Sequence, residues 1–286
     1  MKWSVFTVAT PDLNPEELAA AAQEAGVEGI EWRFKEIPKD AFQEDPSFWR
    51  HNRCSIDPEG TEEEWLSFDK AVKQYKLRSI AVVPYLNCGD MEGTERVMKA
   101  AKTLGASFIR AGVPGYDGRT NYNDLYDQAV RYLDKVERLA ADYGVKALVE
   151  THHKTIAPSA GLAHKLVSHF DSNHIGVLYD PGNMVHEGFE NYRMGMELLG
   201  PYLAHVHVKN AGYRMTKSAD GLHSAWSGEW TPLAHGIVSW PQVLTDLKAV
   251  GYDGYLGIED FSGQYSSKEM LKYFVQQMEE WHNAIT

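Results

Sequence analysis

The sequence predicts an α/β fold, a single (β/α)₈ (TIM) barrel that covers residues 1–286. Short apolar runs alternate with longer segments of helical period, and eight such pairs fit the usual length of this fold, about 250 residues or slightly more. Glycine follows three of the predicted helices, at Gly26, Gly105 and Gly251, where it allows the left-handed turn that returns the chain to the sheet. A doubly wound sheet is the alternative, but the segment after the first run, Ala9–Asp12, is no glycine-rich phosphate loop.

The individual elements follow from the two periods of apolar residues along the chain. Barrel strands are expected at Trp3–Val8, Gly29–Trp32, Ser79–Pro84, Phe108–Ala111, Lys146–Glu150, Ile175–Asp180, Ala204–Val208 and Tyr255–Glu259. Helices between them are expected at Pro15–Ala25, Glu92–Leu104, Asn123–Tyr143, Ala160–Phe170, Tyr192–Leu199 and Pro241–Val250. The first helix has Asn14 as its N-cap and Pro15 at its first position, where the N–H that proline lacks would have no partner in any case.

Two connections are longer than a turn requires, 35–59 after the second strand and 210–236 after the seventh. Long loops in a compact domain usually carry function, and loops that follow barrel strands lie on the active-site face. The second connection contains Trp226 and Trp230, aromatic side chains of the kind that stack on sugars. We therefore expect both connections to border a ligand, with a contact between subunits as the alternative.

The charge of the chain argues against a nucleic-acid partner. Lys and Arg number 28 against 40 Asp and Glu, a formal net charge of −12, and the basic residues are scattered rather than clustered. The two cysteines make no disulfide framework, which is typical of the reducing cytoplasm. No apolar run approaches the roughly 18 residues that span a membrane, and the first residues do not have the form of a signal peptide. We therefore expect a cytoplasmic protein with no membrane partner.

Four polar residues come at the ends of the last four predicted strands. Glu150 closes the fifth strand, Asp180 the sixth and Glu259 the eighth, while His207 lies near the end of the seventh. Neighbouring strands are about 4.8 Å apart and their carboxyl ends meet on one face of a barrel, so these side chains can converge. Three carboxylates at one point repel one another unless a cation is present. The pattern predicts a divalent-metal site, with Mn²⁺ as the expected ion and Mg²⁺ or Co²⁺ as alternatives.

The chain resembles the xylose isomerase-like TIM barrels, a family of sugar isomerases and epimerases that also includes the AP endonuclease family 2. The resemblance covers essentially the whole chain, and the stretches that carry it are Leu148–His152, Tyr179–Asn183, His205–Asn210 and Gly251–Phe261. It implies a (β/α)₈ barrel, metal ligands at the same four residues and a small-molecule carbohydrate as substrate. It also implies a homo-oligomer, a dimer or a tetramer, because such barrels are usually found in these states.

Two positions depart from particular branches of this family. The DNA-repair and ketose 3-epimerase branches have a histidine three residues after the metal-binding aspartate, where this chain has Asn183. The ketose 3-epimerases also have an arginine six residues after the metal-binding histidine, where this chain has Tyr213, followed by Arg214. These differences, together with the negative charge, argue against a nuclease and against a direct match to a ketose 3-epimerase. We expect Asn183 and Arg214 to contact the substrate.

Other polar residues near the strand ends are expected to have different roles. His152 shares the inward face of the fifth strand if that strand extends by two residues, which makes it a candidate base or a ligand of a substrate hydroxyl. Lys209 shares the inward face of the seventh strand and is expected to hold a substrate oxygen. His186 either contacts the ligand or begins a helix. His153 is expected in a loop, and His205 one layer deeper in the barrel.

The expected reaction is proton abstraction next to the carbonyl of a ketose or keto-sugar, which gives an enediolate. In a sugar isomerase or epimerase, one of Glu150 and Glu259 removes the proton and the other returns it, with the metal polarising the carbonyl. The alternative is a metal-dependent lyase or dehydratase that acts on a keto-sugar, a keto-cyclitol or a 3-keto-glycoside by β-elimination, with His152 as the base. A non-catalytic sugar-binding barrel is a third hypothesis, but a binding protein has no need of the second carboxylate.

Overall fold

Eight parallel strands close into a barrel in the computed structural model, which describes residues 1–285. The strands are β1 (Lys2–Phe6), β2 (Gly29–Phe34), β3 (Arg78–Pro84), β4 (Phe108–Arg110), β5 (Lys146–Glu150), β6 (Ile175–Tyr179), β7 (Leu203–Val208) and β8 (Tyr255–Ile258). Each strand pairs with its neighbours in chain order, and β1 pairs in parallel with both β2 and β8, so the sheet has no open edge in the barrel. The predicted (β/α)₈ barrel is confirmed.

Four of the predicted strands, the first, fourth, sixth and eighth, end earlier than expected, and two of these ends have a local cause. The first ends at Phe6, because Thr7–Ala9 form a turn of 3₁₀ helix that leads away from the sheet. The sixth ends at Tyr179, because Asp180 is the N-cap of a helix and its carboxylate accepts a hydrogen bond from the backbone N–H of Asn183 at 2.8 Å. A residue that caps a helix thus stands directly at the end of a strand, and its other oxygen, Oδ2, contacts Lys209 and the side chain of Asn183.

Nine helices lie among residues 1–285. They are α1 (Pro15–Ala25), α2 (Glu62–Gln74), α3 (Met91–Leu104), α4 (Tyr122–Tyr143), α5 (Ala160–Val167), α6 (Pro181–His186), α7 (Tyr192–Leu199), α8 (Trp240–Ala249) and α9 (Ser267–Ala284). The sequence prediction missed α2, α6 and α9. Both α2 and α9 begin with a capping box, with Thr61 and Ser266 as the respective N-caps, a signal that would have located them.

The two long connections are partly ordered into secondary structure. The connection 35–59 contains a 3₁₀ helix at Lys39–Gln43 and a short strand at Ser55–Ile56 that pairs with the end of β2. The connection 210–236 forms an antiparallel hairpin of strands Asn210–Lys217 and Ser224–Thr231. We call this second element the β7 hairpin. Both connections follow the carboxyl ends of their strands and therefore lie on the same face of the barrel.

The apolar core lies between the strands and the surrounding helices. Outward-facing residues of the strands, such as Trp32 and Tyr179, are fully buried against this layer, as are Trp240 and Phe274 of the helices. Burial of one such side chain contributes about 1.5–3 kcal/mol. The barrel interior is more polar than this layer between the strands and the helices. None of the helices among residues 1–285 has the length and apolar character needed to cross a bilayer.

Candidate active site

Four potential metal ligands converge at the carboxyl ends of β5 to β8. They are Glu150, Asp180, His207 and Glu259, all buried, and one ligand atom from each lies within 4.8 Å of the others. His207 Nδ1 is 3.5 Å from Glu150 Oε1, 3.8 Å from Asp180 Oδ2 and 3.6 Å from Glu259 Oε2. We call these residues the four-ligand cluster. The structure brings together the four residues that the sequence pattern selected.

The donor set of the four-ligand cluster fits a divalent cation. Three carboxylate oxygens and one imidazole nitrogen are ligands that such ions accept. His207 Nδ1 is buried and has no hydrogen-bond partner among residues 1–285, although it faces three carboxylates. A buried polar atom without a partner is unfavourable, so an ion at this point would satisfy it. The four-ligand cluster therefore has the donor atoms of a metal site, and one of them, His207 Nδ1, has no hydrogen-bond partner among the described residues.

Two cations neutralise the carboxylates of the cluster. The ammonium of Lys209 lies 2.9 Å from Asp180 Oδ2 and also pairs with Glu259. The guanidinium of Arg110 donates from Nη1 to Glu150 Oε2 at 2.7 Å and from Nη2 to the carbonyl of Pro84 at 2.9 Å. Each of the three carboxylates is thus paired with a positive charge, and in Asp180 and Glu259 the oxygen that meets Lys209 is also the one nearest His207 Nδ1.

The pKa values of these groups reflect burial and the charges around them. Burial alone would raise the pKa of Glu150, but the positive charge of the Arg110 guanidinium holds that pKa well below its usual range. Burial raises the pKa of Asp180 to about 7, with Lys209 opposing the shift. Burial alone would lower the pKa of Lys209, but Asp180 and Glu259 keep it above its usual value. Glu150 is accordingly a weak base in this environment, and Lys209 carries its proton.

Asn183 completes the polar wall of the cluster. Its side-chain N–H₂ donates to Glu150 Oε1 at 3.1 Å and to Asp180 Oδ2 at 2.9 Å. Asn183 lies in the first turn of α6, and the preceding residue, Gly182, packs so closely on Lys209 that a Cβ would overlap its side chain. Because Gly182 has no side chain, the Lys209 side chain can lie against the start of α6 and reach the four-ligand cluster. Asn183 therefore positions the ligands and, since it also lines the adjoining cavity, remains available to a substrate.

A cavity of about 470 Å³ opens directly above the four-ligand cluster. Its walls include the cluster residues Glu150 and Glu259 and the cations Arg110 and Lys209. Four aromatic side chains complete this part of the wall, Trp49, Tyr85, Trp230 and Phe261. The ring of Phe261 lies between the other two large rings, 5.1 Å from Trp49 and 5.8 Å from Trp230. Trp49 comes from the connection 35–59 and Trp230 from the β7 hairpin, so both long connections border the cavity.

Two consecutive histidines line the cavity beyond the end of β5. His152 Nδ1 donates to the carbonyl of His153 at 2.7 Å, which leaves Nε2 of His152 as the nitrogen with a free electron pair. The ring of His153 stacks on that of His152 at 4.5 Å, and burial together with the charge of neighbouring groups lowers its pKa to about 4. His153, expected to be a loop residue away from the site, is therefore a neutral part of the cavity wall.

Two of the expected substrate contacts do not reach the cavity. His186 is the last residue of α6 and packs behind the wall, with its ring 4.6 Å from Trp230 and 5.0 Å from His153. Arg214 lies on the β7 hairpin with its side chain exposed, and it pairs with Glu229 on the opposite strand at 2.7 Å. The antiparallel register pairs Arg214 with Ser227 and Glu229 with Gly212, so this ion pair runs diagonally between the two strands of the hairpin. Arg110 is the arginine that the structure brings to the site.

Comparison with known proteins agrees with the barrel fold. The sequence profile of the xylose isomerase-like TIM barrel family matches residues 19–281. The chain belongs to this family. An inosose dehydratase of Clostridium botulinum is 28% identical over 155 residues, which are 51% of this chain and 51% of that protein. The chain thus matches about half the length of this curated relative.

Solved structures share the fold of this xylose isomerase-like barrel over nearly its whole length. A probable 3-DHS dehydratase, AsbF, of Bacillus anthracis is 21% identical with a TM-score of 0.71, and the match covers 98% of this chain and 99% of that one. An L-ribulose 3-epimerase is 15% identical with a TM-score of 0.72, and the match covers 100% and 96% of the two chains. At these identities the likeness concerns the fold. The named relatives are sugar-modifying enzymes and dehydratases, which makes an enzyme the expected class for this chain as well.

Proposed function

We propose that the protein is a metal-dependent lyase that dehydrates a keto-cyclitol or a keto-sugar. The observation that carries this proposal is the state of the two flanking carboxylates. Glu150 is held by Arg110 and Asn183, and Glu259 is paired with Lys209, so each carboxylate would have to give up a partner before it could take a proton from the substrate. His152 lines the same cavity, and the bond from its Nδ1 to the carbonyl of His153 leaves Nε2 without a hydrogen-bond partner in that contact. The similarity to an inosose dehydratase over half the chain supports the same reaction class.

The residues of the cavity can carry out such an elimination in two steps. Nε2 of His152 takes the proton from the carbon next to the carbonyl, and the electron pair of that C–H bond enters the enolate. The enolate then re-forms the carbonyl conjugated to a new C=C bond, and the C–O bond at the β carbon breaks. The imidazolium of His152 returns the proton to the departing hydroxyl, so that one water leaves. The Lys209 ammonium is placed to stabilise the enolate oxygen.

A divalent ion in the four-ligand cluster would supply Lewis-acid stabilisation of the charge that develops on the carbonyl oxygen. Mn²⁺ is our proposed ion because the donor set is mostly oxygen, with Mg²⁺ and Co²⁺ as alternatives. The aromatic wall suits a ring substrate whose C–H face packs on Trp49, Trp230 or Phe261. A carbohydrate or cyclitol has such faces together with hydroxyls for His152 and Asn183.

Epimerisation or isomerisation of a ketose is the second candidate function. The observation in its favour is that Glu150 and Glu259 both line the cavity, next to the same four-ligand cluster. A two-base epimerase needs one carboxylate to remove the proton and another to return it. That scheme requires Glu150 to release Arg110, or Glu259 to release Lys209, when the substrate binds.

A homo-oligomeric state and a cytoplasmic location stay predictions.

One incubation in D₂O separates the two reactions. The purified protein, loaded with Mn²⁺, is incubated with 2-keto-myo-inositol, D-fructose and D-tagatose, and the products are followed by NMR and mass spectrometry. We expect loss of 18 mass units, corrected for deuterium, and a vinylic signal from the cyclitol. Deuterium uptake into a ketose whose carbon skeleton and oxygens are retained would show the epimerase instead. Absence of both reactions would contradict the proposed lyase on keto-cyclitols.

Replacing His152 with Gln tests the base directly. Because the general base is removed while the four-ligand cluster is kept, we expect kcat for the elimination to fall by about 10²- to 10⁴-fold with metal content unchanged. His223→Gln, on the exposed tip of the β7 hairpin, is the matched control and should leave kcat as it is. A His152→Gln enzyme with full activity would exclude the imidazole mechanism.

Replacing Trp230 with Ala tests the aromatic wall. The ring covers the Lys209 ammonium at 5.3 Å and packs against Phe261, so its loss removes stacking area from one side of the substrate. We expect KM to rise about tenfold, with a smaller change in kcat, since an aromatic contact contributes about 1–2 kcal/mol. Trp226→Ala, on the same hairpin strand but 62% exposed and away from the cavity, is the control. Equal KM values for the two variants would contradict this contact.

A further inference from the structure

A buried carboxylate that is not a member of the four-ligand cluster lies directly beneath it. Glu31 is on β2, across the barrel from β7, and is fully buried. Its Oε2 accepts a hydrogen bond from His207 Nε2 at 2.9 Å, and its Oε1 accepts one from Ser4 Oγ at 2.9 Å. His205 Nε2, one layer deeper, is 3.0 Å from the same Oε1. Glu31 therefore meets the imidazole of the metal ligand on the side opposite the cavity.

The bond to Glu31 determines which ring nitrogen of His207 carries the proton. A carboxylate only accepts hydrogen bonds, so Nε2 of His207 must be the donor. The neutral ring then has its free electron pair on Nδ1, the nitrogen that faces Glu150, Asp180 and Glu259. The ring plane is held by Phe6, which stacks on it at 5.7 Å with an interplanar angle of 14°. Glu31 thus keeps a proton on Nε2, and Phe6 fixes the orientation of the ring.

The strand on the far side of Glu31 leaves room for its carboxylate. Gly257 lies in β8, in register with His207 of β7 and Ser4 of β1. A Cβ at Gly257 would overlap Glu31 Oε1. Two residues further along the same face of β8, Glu259 provides a ligand of the cluster. Because Gly257 has no side chain, the barrel interior has room for the Glu31 carboxylate. Glu31 can therefore reach His207 of the four-ligand cluster.

A second metal ion held by Glu31, His205 and His207 is the competing interpretation of this group, since their ligand atoms also lie within 4.8 Å of one another. The three residues are sealed from solvent and do not border the cavity, so an ion has no route to them. The Glu31 oxygens are also already occupied by Ser4 and His207. A hydrogen-bonding role accounts for the group without an additional ion.

We propose that Glu31 is a positioning residue that holds the proton of His207 on Nε2 and so prepares Nδ1 to bind the metal. This inference rests on the proposed metal-dependent function. Partners that orient a metal-binding histidine in this way typically change metal affinity by about 10- to 100-fold when they are replaced. A merely structural carboxylate would change stability and leave metal affinity alone.

Titration calorimetry with Mn²⁺ on the purified chain of residues 1–286 tests this role. We expect one ion per wild-type chain and a Kd that is about 10- to 100-fold weaker for Glu31→Gln. Asp69→Asn is the control, because Asp69 is a buried carboxylate on α2 that pairs with Lys73 far from the cluster, and its Kd should match the wild type. An unchanged Kd for Glu31→Gln would overturn the inference and leave the proposed function standing. A wild type that binds no ion would overturn both.

A second measurement needs no variant and applies even if Glu31→Gln does not fold. In the Zn²⁺-loaded wild-type chain, ¹⁵N NMR of the histidine side chains should show His207 protonated at Nε2 and coordinated through Nδ1. Coordination through Nε2 would contradict the role of Glu31. Two bound ions per chain would also contradict it, because Glu31 would then be a metal ligand itself.

Discussion

Replacement of Glu259 with Gln is expected to lower turnover by about 10³-fold or more. Glutamine keeps the shape of the side chain but removes one of the three negative charges that would hold the metal, and it removes one of the two carboxylates that pair with Lys209. Metal assistance is worth several kcal/mol, and about 4 kcal/mol corresponds to a factor of 10³ in rate. The measurement is kcat under saturating Mn²⁺, together with the metal content of the purified variant.

The control for this variant is Glu24→Gln, an exposed carboxylate on α1 that pairs with Lys272 and should leave kcat unchanged. Metal content separates two causes of the loss. A variant that binds no ion at accessible concentrations identifies Glu259 as a ligand, whereas one that binds the ion and remains inactive identifies it as a proton-transfer group. Full activity of Glu259→Gln would exclude the four-ligand cluster as the catalytic centre.

Replacement of Lys209 with Met is expected to have the largest effect on the stability of the metal-free protein. The ammonium is buried between Asp180 and Glu259, and methionine retains its apolar stem while removing the charge. Breaking a buried ion pair typically costs about 3–5 kcal/mol of unfolding free energy, because the partner charge remains buried without compensation. Urea unfolding in the presence of a chelator measures this loss.

Addition of Mn²⁺ should restore more stability to Lys209→Met than to the wild type, because the ion supplies the positive charge that the variant lacks. Lys272→Met, which breaks an exposed pair with Glu24, is the matched control and should be indistinguishable from the wild type. A loss below about 1 kcal/mol in the chelated Lys209→Met protein would contradict the ion-pair role and indicate that Asp180 is neutral in the metal-free state.

The residues at the strand ends were predictable because their positions follow from local properties of each strand. A parallel barrel brings the carboxyl ends of its strands to one face, and the period of two determines which side chains point inward. Glu150, Asp180, His207 and Glu259 follow from these two facts. The same reasoning correctly placed His205 one layer deeper, because it is two residues from His207 on the same strand.

Other features of the site depend on neighbours that are distant in sequence. No local pattern distinguishes Arg110 from the other basic residues, and only the pairing of β4 with β5 places it beside Glu150. Arg214 was expected to contact the substrate, but in the structure it pairs with Glu229 of the facing hairpin strand. Sequence spacing does not reveal the hairpin register that brings these two residues together. The partners of the metal ligands are thus less predictable than the ligands themselves.

The sequence by itself determined the barrel, the positions of its eight strands and the four residues that meet at its mouth. Only the tertiary structure showed that Lys209 and Arg110 neutralise the carboxylates, and that Glu31 reaches His207 from the opposite wall, 176 positions away in the chain. The physical reason is that hydrophobic period and strand direction are local properties of the chain, whereas the balance of buried charge is a property of the closed barrel. The choice between elimination and epimerisation rests on that balance.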